Sequence, residues 1–321
     1  MPHLLIAGPI HQAGFDLLNA RADVTFDYVP NLSYEDYAAL IDKADGLVIR
    51  TQPVRAETIA RAPHLKIVSR HGVGYDAVDV PALSQRGIPL TIVGDVSSRA
   101  VAEHAMMQIL ALSKKARVYD AAVRRGDFAL RNRFDSVELH GKTILIVGLG
   151  RIGHHIIRMA QGFGMHVLAF SPRLTRADAE ALRIESVSHL DDGLRRADFI
   201  TLHAPKTGDQ PLIGAPQLAL MKSSAILVNT ARGGLIDEEA LLHALNTRAL
   251  AGAGLDVFQE EPPLEHHPLF ACENVILTPH TASLTTESAI RMAVISIQNA
   301  LDYFAGRLDP ALVVNRVALG L

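Results

Sequence analysis

Three runs in the last third of the chain carry residues suited to anion binding and acid–base chemistry. They are Val228-Asn229-Thr230-Ala231-Arg232-Gly233-Gly234, Gly254-Leu255-Asp256-Val257-Phe258-Gln259-Glu260-Glu261-Pro262 and Leu277-Thr278-Pro279-His280. Arg232 presents planar donors that can grip a carboxylate and polarise a neighbouring keto oxygen. His280 can give a proton to that oxygen as hydride reaches the carbon, and take it back in the reverse direction, because an unperturbed imidazole titrates near pH ~6.5. Glu261 is the matching carboxylate, whose charge favours the protonated ring and orients it. A cation, an imidazole and an acid in this combination suit reduction of a 2-keto acid or oxidation of a 2-hydroxy acid.

Such chemistry needs a hydride source, and Gly148-Leu149-Gly150-Arg151-Ile152-Gly153 points to one. The run follows an apolar strand pattern and opens an apolar-periodic helix, the context in which a glycine fingerprint binds a dinucleotide. Gly148 permits the tight turn, Gly150 lets backbone approach a pyrophosphate, and Gly153 lets helix pack on strand. Arg151 and Ile152 begin the helix, whose free N–H groups and positive dipole end suit phosphates. The acid expected about twenty residues on, to bind the adenosine ribose, is replaced by Ser171 in Phe170-Ser171-Pro172-Arg173-Leu174-Thr175-Arg176. A serine there removes the charge that repels a 2′-phosphate, and Arg173 or Arg176 can pair with that phosphate. NADP is therefore the expected cofactor, with NAD as the alternative.

The elements that must position these residues follow from alternation. Short apolar runs alternate with helical patterns, the mark of parallel βαβ units. Strands are expected at Leu4–Ala7, Val24–Tyr28, Gly46–Ile49, Lys66–Ser69 and Leu90–Val93, and a second series at Thr143–Val147, His166–Phe170, Asp198–Leu202, Ala225–Val228, Ala251–Val257 and Val275–Leu277. One long helical pattern from Ser97 to Val118, and another from Thr286 to Ala305, read as bridges between two domains. The expected fold is α/β with two doubly wound parallel sheets. A discontinuous substrate domain, residues 1–97 and 287–321, flanks an inserted dinucleotide-binding domain, residues 98–286.

Composition narrows the class. At 321 residues two domains are the natural expectation, and 49% hydrophobic against 20% charged residues argues against wholesale disorder. A net charge of −3 without a basic stripe argues against nucleic acid as partner. The single cysteine, Cys272, forbids an internal disulfide and fits a reducing, cytoplasmic setting. The N-terminus reads as a first strand without a signal-peptide n-region, and no apolar run reaches membrane-spanning length. No metal is expected. His154-His155 lies in a helix, where neighbours point apart, and no ligand set accompanies it or His266-His267. His104 is expected simply to pack within the bridging helix.

The chain resembles the D-isomer-specific 2-hydroxyacid dehydrogenases, which include glyoxylate/hydroxypyruvate reductases and phosphoglycerate dehydrogenases. Besides the runs above, the resemblance rests on Gly72-Val73-Gly74-Tyr75-Asp76, Ala100-Val101-Ala102-Glu103-His104 and Leu202-His203-Ala204-Pro205, and it covers about His71 to Asn315. It implies a flavodoxin-like substrate domain, a Rossmann cofactor domain and a homodimer formed mainly through the latter. It implies Arg232, Glu261 and His280 as catalytic residues. It places His203, Ala204, Pro205, Thr230 and Ala231 beside the cofactor, and Asp256 at the nicotinamide carboxamide. Val73 and Gly74 match the loop that holds the substrate carboxylate, and Arg50 a substrate-facing position. Ser97 and Gln259 stand where relatives often have Asn and Glu. Formate dehydrogenases carry Gln at the position of Glu261, which disfavours that activity.

The expected activity is NAD(P)H-dependent reduction of a small 2-keto acid, such as glyoxylate or hydroxypyruvate, to the D-2-hydroxy acid. Alternatives are NAD-dependent oxidation of D-3-phosphoglycerate, disfavoured by the lack of a regulatory domain beyond the fold, and nucleotide sensing like the C-terminal-binding co-repressors, disfavoured by the compact chain.

Overall fold

The computed structural model describes residues 1–321. The chain divides into two units, Met1–Ser97 with Leu284–Leu321, and Ser98–Ser283. The first unit is built on strands β1 (His3–Ala7), β2 (Thr25–Val29), β3 (Gly46–Ile49), β4 (Ile67–Arg70) and β5 (Leu90–Thr91). They form one sheet in the order β2-β1-β3-β4-β5, every pair parallel. Leu4–Ala7 and Gly46–Ile49 are buried throughout, as strands with both faces covered must be. Between them lie helices α1 (Gln12–Asn19), α2 (Tyr34–Ala38), α3 (Ala56–Ala60) and α4 (Val80–Gln85).

The second unit opens with α5 (Ser98–Ser113) and α6 (Ala116–Arg124), then β6 (Thr143–Val147), α7 (Arg151–Gly162), β7 (His166–Phe170), α8 (Arg176–Leu182), β8 (Glu185–Ser186), α9 (Leu190–Arg196), β9 (Phe199–Leu202), α10 (Ala215–Leu220), β10 (Ile226–Asn229), α11 (Glu238–Asn246), β11 (Gly252–Leu255) and β12 (Val275–Leu277). Its strands align in the order β12-β11-β10-β9-β6-β7-β8, all parallel. This is the doubly wound Rossmann order, and the first sheet has the flavodoxin-like order. The chain then returns to the first unit through α12 (Thr286–Phe304), which buries Ile297, Ala300 and Leu301 against Leu4, Ile6, Val48 and Ile67.

In each sheet the order reverses beside the first strand, opening a crevice at the carboxyl ends. Both crevices are lined by a glycine in the left-handed region. Gly8, φ +92, follows β1, and a Cβ there would lie 2.9 Å from the Arg50 Cβ after β3. Gly148, φ +94, follows β6, and its Cβ would lie 2.6 Å from the backbone of His203 and Ala204 after β9.

Several elements differ from the expectation, the short edge strand β8 among them, since its two residues carry no alternation signal. The Ser97–Val118 pattern is two helices: Lys115 adopts φ 52 and ends α5. The amide of Val137 and the hydroxyl of Ser136 reach the carbonyls of Ser113 and Lys114, replacing helical bonds there. The apolar periodicity runs through the break, so only that tertiary capture reveals it. Helix α4 was not expected; it is six residues long, too short for a periodic signal, and is nucleated by Asp79 accepting from the Ala82 amide at 2.9 Å. Strand β11 ends at Leu255, so Asp256 and Val257 lie just beyond it.

Candidate active site

The dinucleotide fingerprint has the local geometry its chemistry requires. Gly150 is the N-cap of α7, and a Cβ there would meet nothing within 4 Å, leaving the backbone open to an approaching group. Gly153 is buried, its Cβ position 3.0 Å from the Gly148 carbonyl, so α7 rests directly on β6. Arg151 is exposed and Ile152 half-buried in the first turn of α7. Across the crevice, His203 Nδ1 and Thr230 Oγ1 are buried without a hydrogen-bond partner in the protein. They follow β9 and β10, so polar atoms wait on the same sheet edge as the glycine turn. These features fit a bound nicotinamide dinucleotide. Burial pushes the His203 imidazole down to about 3, and its Nε2 lies 2.8 Å from Thr201 Oγ1, so this ring is neutral and does not serve as an acid at working pH. Ala204 is half-buried and Pro205 exposed beside it.

Past β7, Ser171 is half-buried and its carbonyl accepts from the Leu174 amide, closing the turn that holds Arg173 exposed. Arg176 is committed elsewhere: its Nε donates to Glu180 Oε1 at 2.9 Å, within α8. Of the two arginines expected near a 2′-phosphate, Arg173 is the one on the open turn.

Arg232, Glu261 and His280 arise from loops after β10, β11 and β12, which a parallel sheet delivers to one edge. Asn229 shapes the first loop, its amide donating to the Arg232 carbonyl at 2.7 Å and its oxygen accepting from the Ala231 amide at 3.0 Å. Gly233 then packs so closely that a Cβ would lie 1.8 Å from the Phe258 carbonyl oxygen. Only glycine allows this contact, which seats the Arg232 loop on the segment leading to Glu261. The Arg232 guanidinium donates to the Ala231 carbonyl at 2.7 Å. Glu261 Oε1 accepts from the Phe258 amide at 3.0 Å, and Oε2 accepts from His280 Nδ1 at 2.7 Å. Burial alone would raise the Glu261 carboxyl; the His280 and Phe258 hydrogen bonds and the charges of His280 and Arg232 outweigh it and hold it below the ordinary carboxylate range. With Nδ1 donating to the carboxylate, Nε2 is the ring atom left to exchange a proton.

His280 has φ 53, uncommon for a side-chain-bearing residue. Asp256 supports it. The Asp256 carbonyl accepts from the His280 amide at 2.8 Å, while its carboxylate accepts from Thr278 Oγ1 and from the amides of Thr281 and Ala282. Asp256 is 0% exposed, so in this structure its carboxylate anchors the 278–282 loop and presents no surface to a ligand.

The first unit gathers its own set. Val73 is exposed, Gly74 half-buried, and Arg50 half-buried with Nη1 donating to the Pro9 carbonyl at 3.3 Å. Burial lowers the Arg50 guanidinium, with the Tyr28 phenol acting the other way. Sequence reasoning missed two neighbours. Arg70 donates to the His71 carbonyl at 2.5 Å, and His71 is buried with its imidazole pushed down to about 4, by burial first and then by Arg50 and Arg70. Arg70 follows the strand run 66–69 as Arg50 follows 46–49, and that shared strand-end position was the signal that could have found it.

Residues 106–282 match the family model described as D-isomer specific 2-hydroxyacid dehydrogenase, NAD binding domain. The chain belongs to the D-isomer-specific 2-hydroxyacid dehydrogenase family. Over 290 residues it is 40% identical to a D-3-phosphoglycerate dehydrogenase of Methanocaldococcus jannaschii, covering 90% of this chain and 55% of the relative. The chain thus spans about half the length of that relative. A glyoxylate reductase of Aeropyrum pernix is 36% identical over 325 residues, covering 98% of this chain and 97% of the relative. An NADPH-dependent glyoxylate/hydroxypyruvate reductase of Sinorhizobium meliloti, solved in complex with citrate, superposes with a TM-score of 0.82 at 28% identity, covering 95% of each chain. The matched model is that of an NAD binding domain, in keeping with the glycine turn between β6 and α7.

Proposed function

We infer that the protein reduces a small 2-keto acid of the glyoxylate or hydroxypyruvate type to its D-2-hydroxy acid, with NADPH preferred over NADH. The observation that carries this reading is the 2.7 Å contact between His280 Nδ1 and Glu261, which leaves Nε2 as a proton donor beside a charged acid. A bound reduced nicotinamide supplies the hydride. Arg232 grips the carboxylate and polarises the keto oxygen, and His280 delivers the proton that completes the hydroxyl. Arg50, Val73 and Gly74 are assigned to the substrate. The glycine turn, Arg151, Ile152, Ser171, Arg173, His203, Ala204, Pro205, Thr230 and Ala231 are assigned to the cofactor, with Asp256 behind the loop that carries His280. The first unit then acts as the substrate domain, residues 1–97 and 287–321, and the second as the dinucleotide-binding domain, residues 98–286.

A homodimer in the cytoplasm belongs to the same reading. Its support is the exposed apolar surface of Val123, Phe128 and Phe134 on and after α6, 60%, 66% and 88% accessible, and the lone buried thiol of Cys272. No helix is long and apolar enough to cross a membrane.

The second reading, oxidation of D-3-phosphoglycerate with NAD, is favoured by one observation. Arg50 follows β3 and Arg70 ends the adjacent β4, opposite Ile49, which puts two guanidiniums at neighbouring strand ends, a set suited to a second anionic group. Assaying glyoxylate and hydroxypyruvate reduction against D-3-phosphoglycerate oxidation, each with both cofactors, separates the two. His280→Ala should lower kcat by about 10²- to 10⁴-fold in any of these reactions. Unchanged turnover in that variant overturns the assignment.

A further inference from the structure

A polar chain, half-buried at His104 and Thr278 and fully buried at Asp256, ties helix α5 to the loop that carries His280. His104 Nε2 lies 2.9 Å from Thr278 Oγ1, and that hydroxyl donates to Asp256 Oδ1 at 2.5 Å. A hydroxyl has one proton. With it committed to the carboxylate, Thr278 can only accept from His104, so Nε2 of His104 carries hydrogen. Gln108, one turn along α5, aims its amide nitrogen at the same hydroxyl from 3.3 Å. The His104 side chain is 16% exposed, and its Nε2 stands 3.7 Å from the wholly buried Asp256 carboxylate.

The far end of this chain is the catalytic loop. Asp256 accepts from the amides of Thr281 at 2.9 Å and Ala282 at 2.8 Å through its side chain, and from the amide of His280 at 2.8 Å through its carbonyl. His280 is thus bracketed by bonds to one residue while it holds φ 53. A sparsely populated backbone conformation persists only where its surroundings over-determine it. Sequence reasoning treated His104 as helix packing; its donor chain instead ends on the residue that holds the proposed acid in place.

We propose that His104 is a positioning residue for proton transfer, acting through Thr278 and Asp256 to keep His280 at its 2.7 Å contact with Glu261. The inference rests on His280 being the proton donor, and the test separates the two ideas. Wild type, His104→Phe, His280→Ala and the double variant are compared in glyoxylate and hydroxypyruvate reduction with NADPH and NADH. His104→Phe should lower kcat by about 10- to 100-fold, the size expected when a reacting group is misplaced by a fraction of an ångström to an ångström, with KM for the cofactor unchanged. His104→Gln, whose amide nitrogen can reach the same hydroxyl, should recover most of the loss. The double variant should be no slower than His280→Ala alone, because residues acting through one group are not additive.

Additive losses in the double variant, or wild-type kcat in His104→Phe, overturn the inference and leave the role of His280 standing. Wild-type turnover in His280→Ala overturns the acid assignment, and the inference with it. If phenylalanine at 104 prevents folding, Thr278→Val breaks the same link and carries the test with the same expected loss. A structural arm needs no turnover: amide exchange at Thr281 and Ala282 should quicken in His104→Phe while β6 and β10 keep their protection. Unchanged exchange at those two amides overturns the inference.

Discussion

Replacing Glu261 by glutamine keeps the size of the side chain and removes its charge, which isolates the electrostatic part of the His280–Glu261 contact. Charges about 4 Å apart attract by ~1 kcal/mol in bulk water and ~4 kcal/mol at an effective dielectric near 20. The two side chains are 51% and 36% exposed, so solvent screening places this pair toward the lower figure. A loss of ~1 to 1.5 kcal/mol corresponds to a factor of about 5 to 10 in rate. The sign follows from the role of the contact: the carboxylate orients the ring that gives up the proton, so removing its charge slows that step. In Glu261→Gln, kcat for reduction should fall by about 5- to 10-fold, with KM for the cofactor unchanged. Burial would raise the wild-type carboxyl, but the His280 and Phe258 hydrogen bonds hold it below its ordinary 4.5, so Glu261 carries its charge across the neutral range. The assay is cofactor absorbance at neutral pH and saturating keto acid. Wild-type kcat in Glu261→Gln would refute the reasoning.

Further outcomes follow from the glycine turn, the sheet edge and the cofactor loop. Gly148→Ala forces φ +94 on a side-chain-bearing residue and puts a Cβ 2.6 Å from backbone, so both the melting temperature and cofactor affinity should fall, the strain alone costing about 1 to 2 kcal/mol. Gly150→Ala meets nothing in the protein and should keep the wild-type melting temperature while losing affinity in a cofactor fluorescence titration. Asp198 accepts from the Thr143 amide and from Lys222, each at 2.9 Å; burial would raise its carboxyl, but these partners and Lys142 hold it below its ordinary 3.8. Asp198→Asn should therefore cost about 1 kcal/mol at neutral pH, a deficit that shrinks as pH falls through 3.8 toward the depressed folded value, as thermal melts would show. Arg173→Ala should erode any preference for NADPH in kcat/KM, whereas Arg176→Ala, whose partner is Glu180, should leave it intact.

Much of the molecule was legible because its signals are local. Alternation of apolar runs with helical patterns gave the βαβ rhythm, since strands buried on both faces have little choice but Val, Ile and Leu. The glycine fingerprint was readable because a left-handed turn and a close helix–strand approach each demand glycine at one position. Arg232, Glu261 and His280 stood out because each ends a run beside a strand, and a parallel sheet delivers strand ends to one edge.

What the chain order could not convey is which groups meet once the loops fold. The contact of Gly233 with Phe258, the burial of Asp256 and its grip on residues 278–282, the link from His104 across to Thr278, and the placement of Arg50 beside His71 all join residues distant in sequence. The break after α5 is likewise imposed by a segment some twenty residues away that captures its last carbonyls. Periodicity and motif spacing record the needs of one element at a time. Hydrogen-bond partners and burial depend on packing between elements, and these decided where the charges and protons of the site reside.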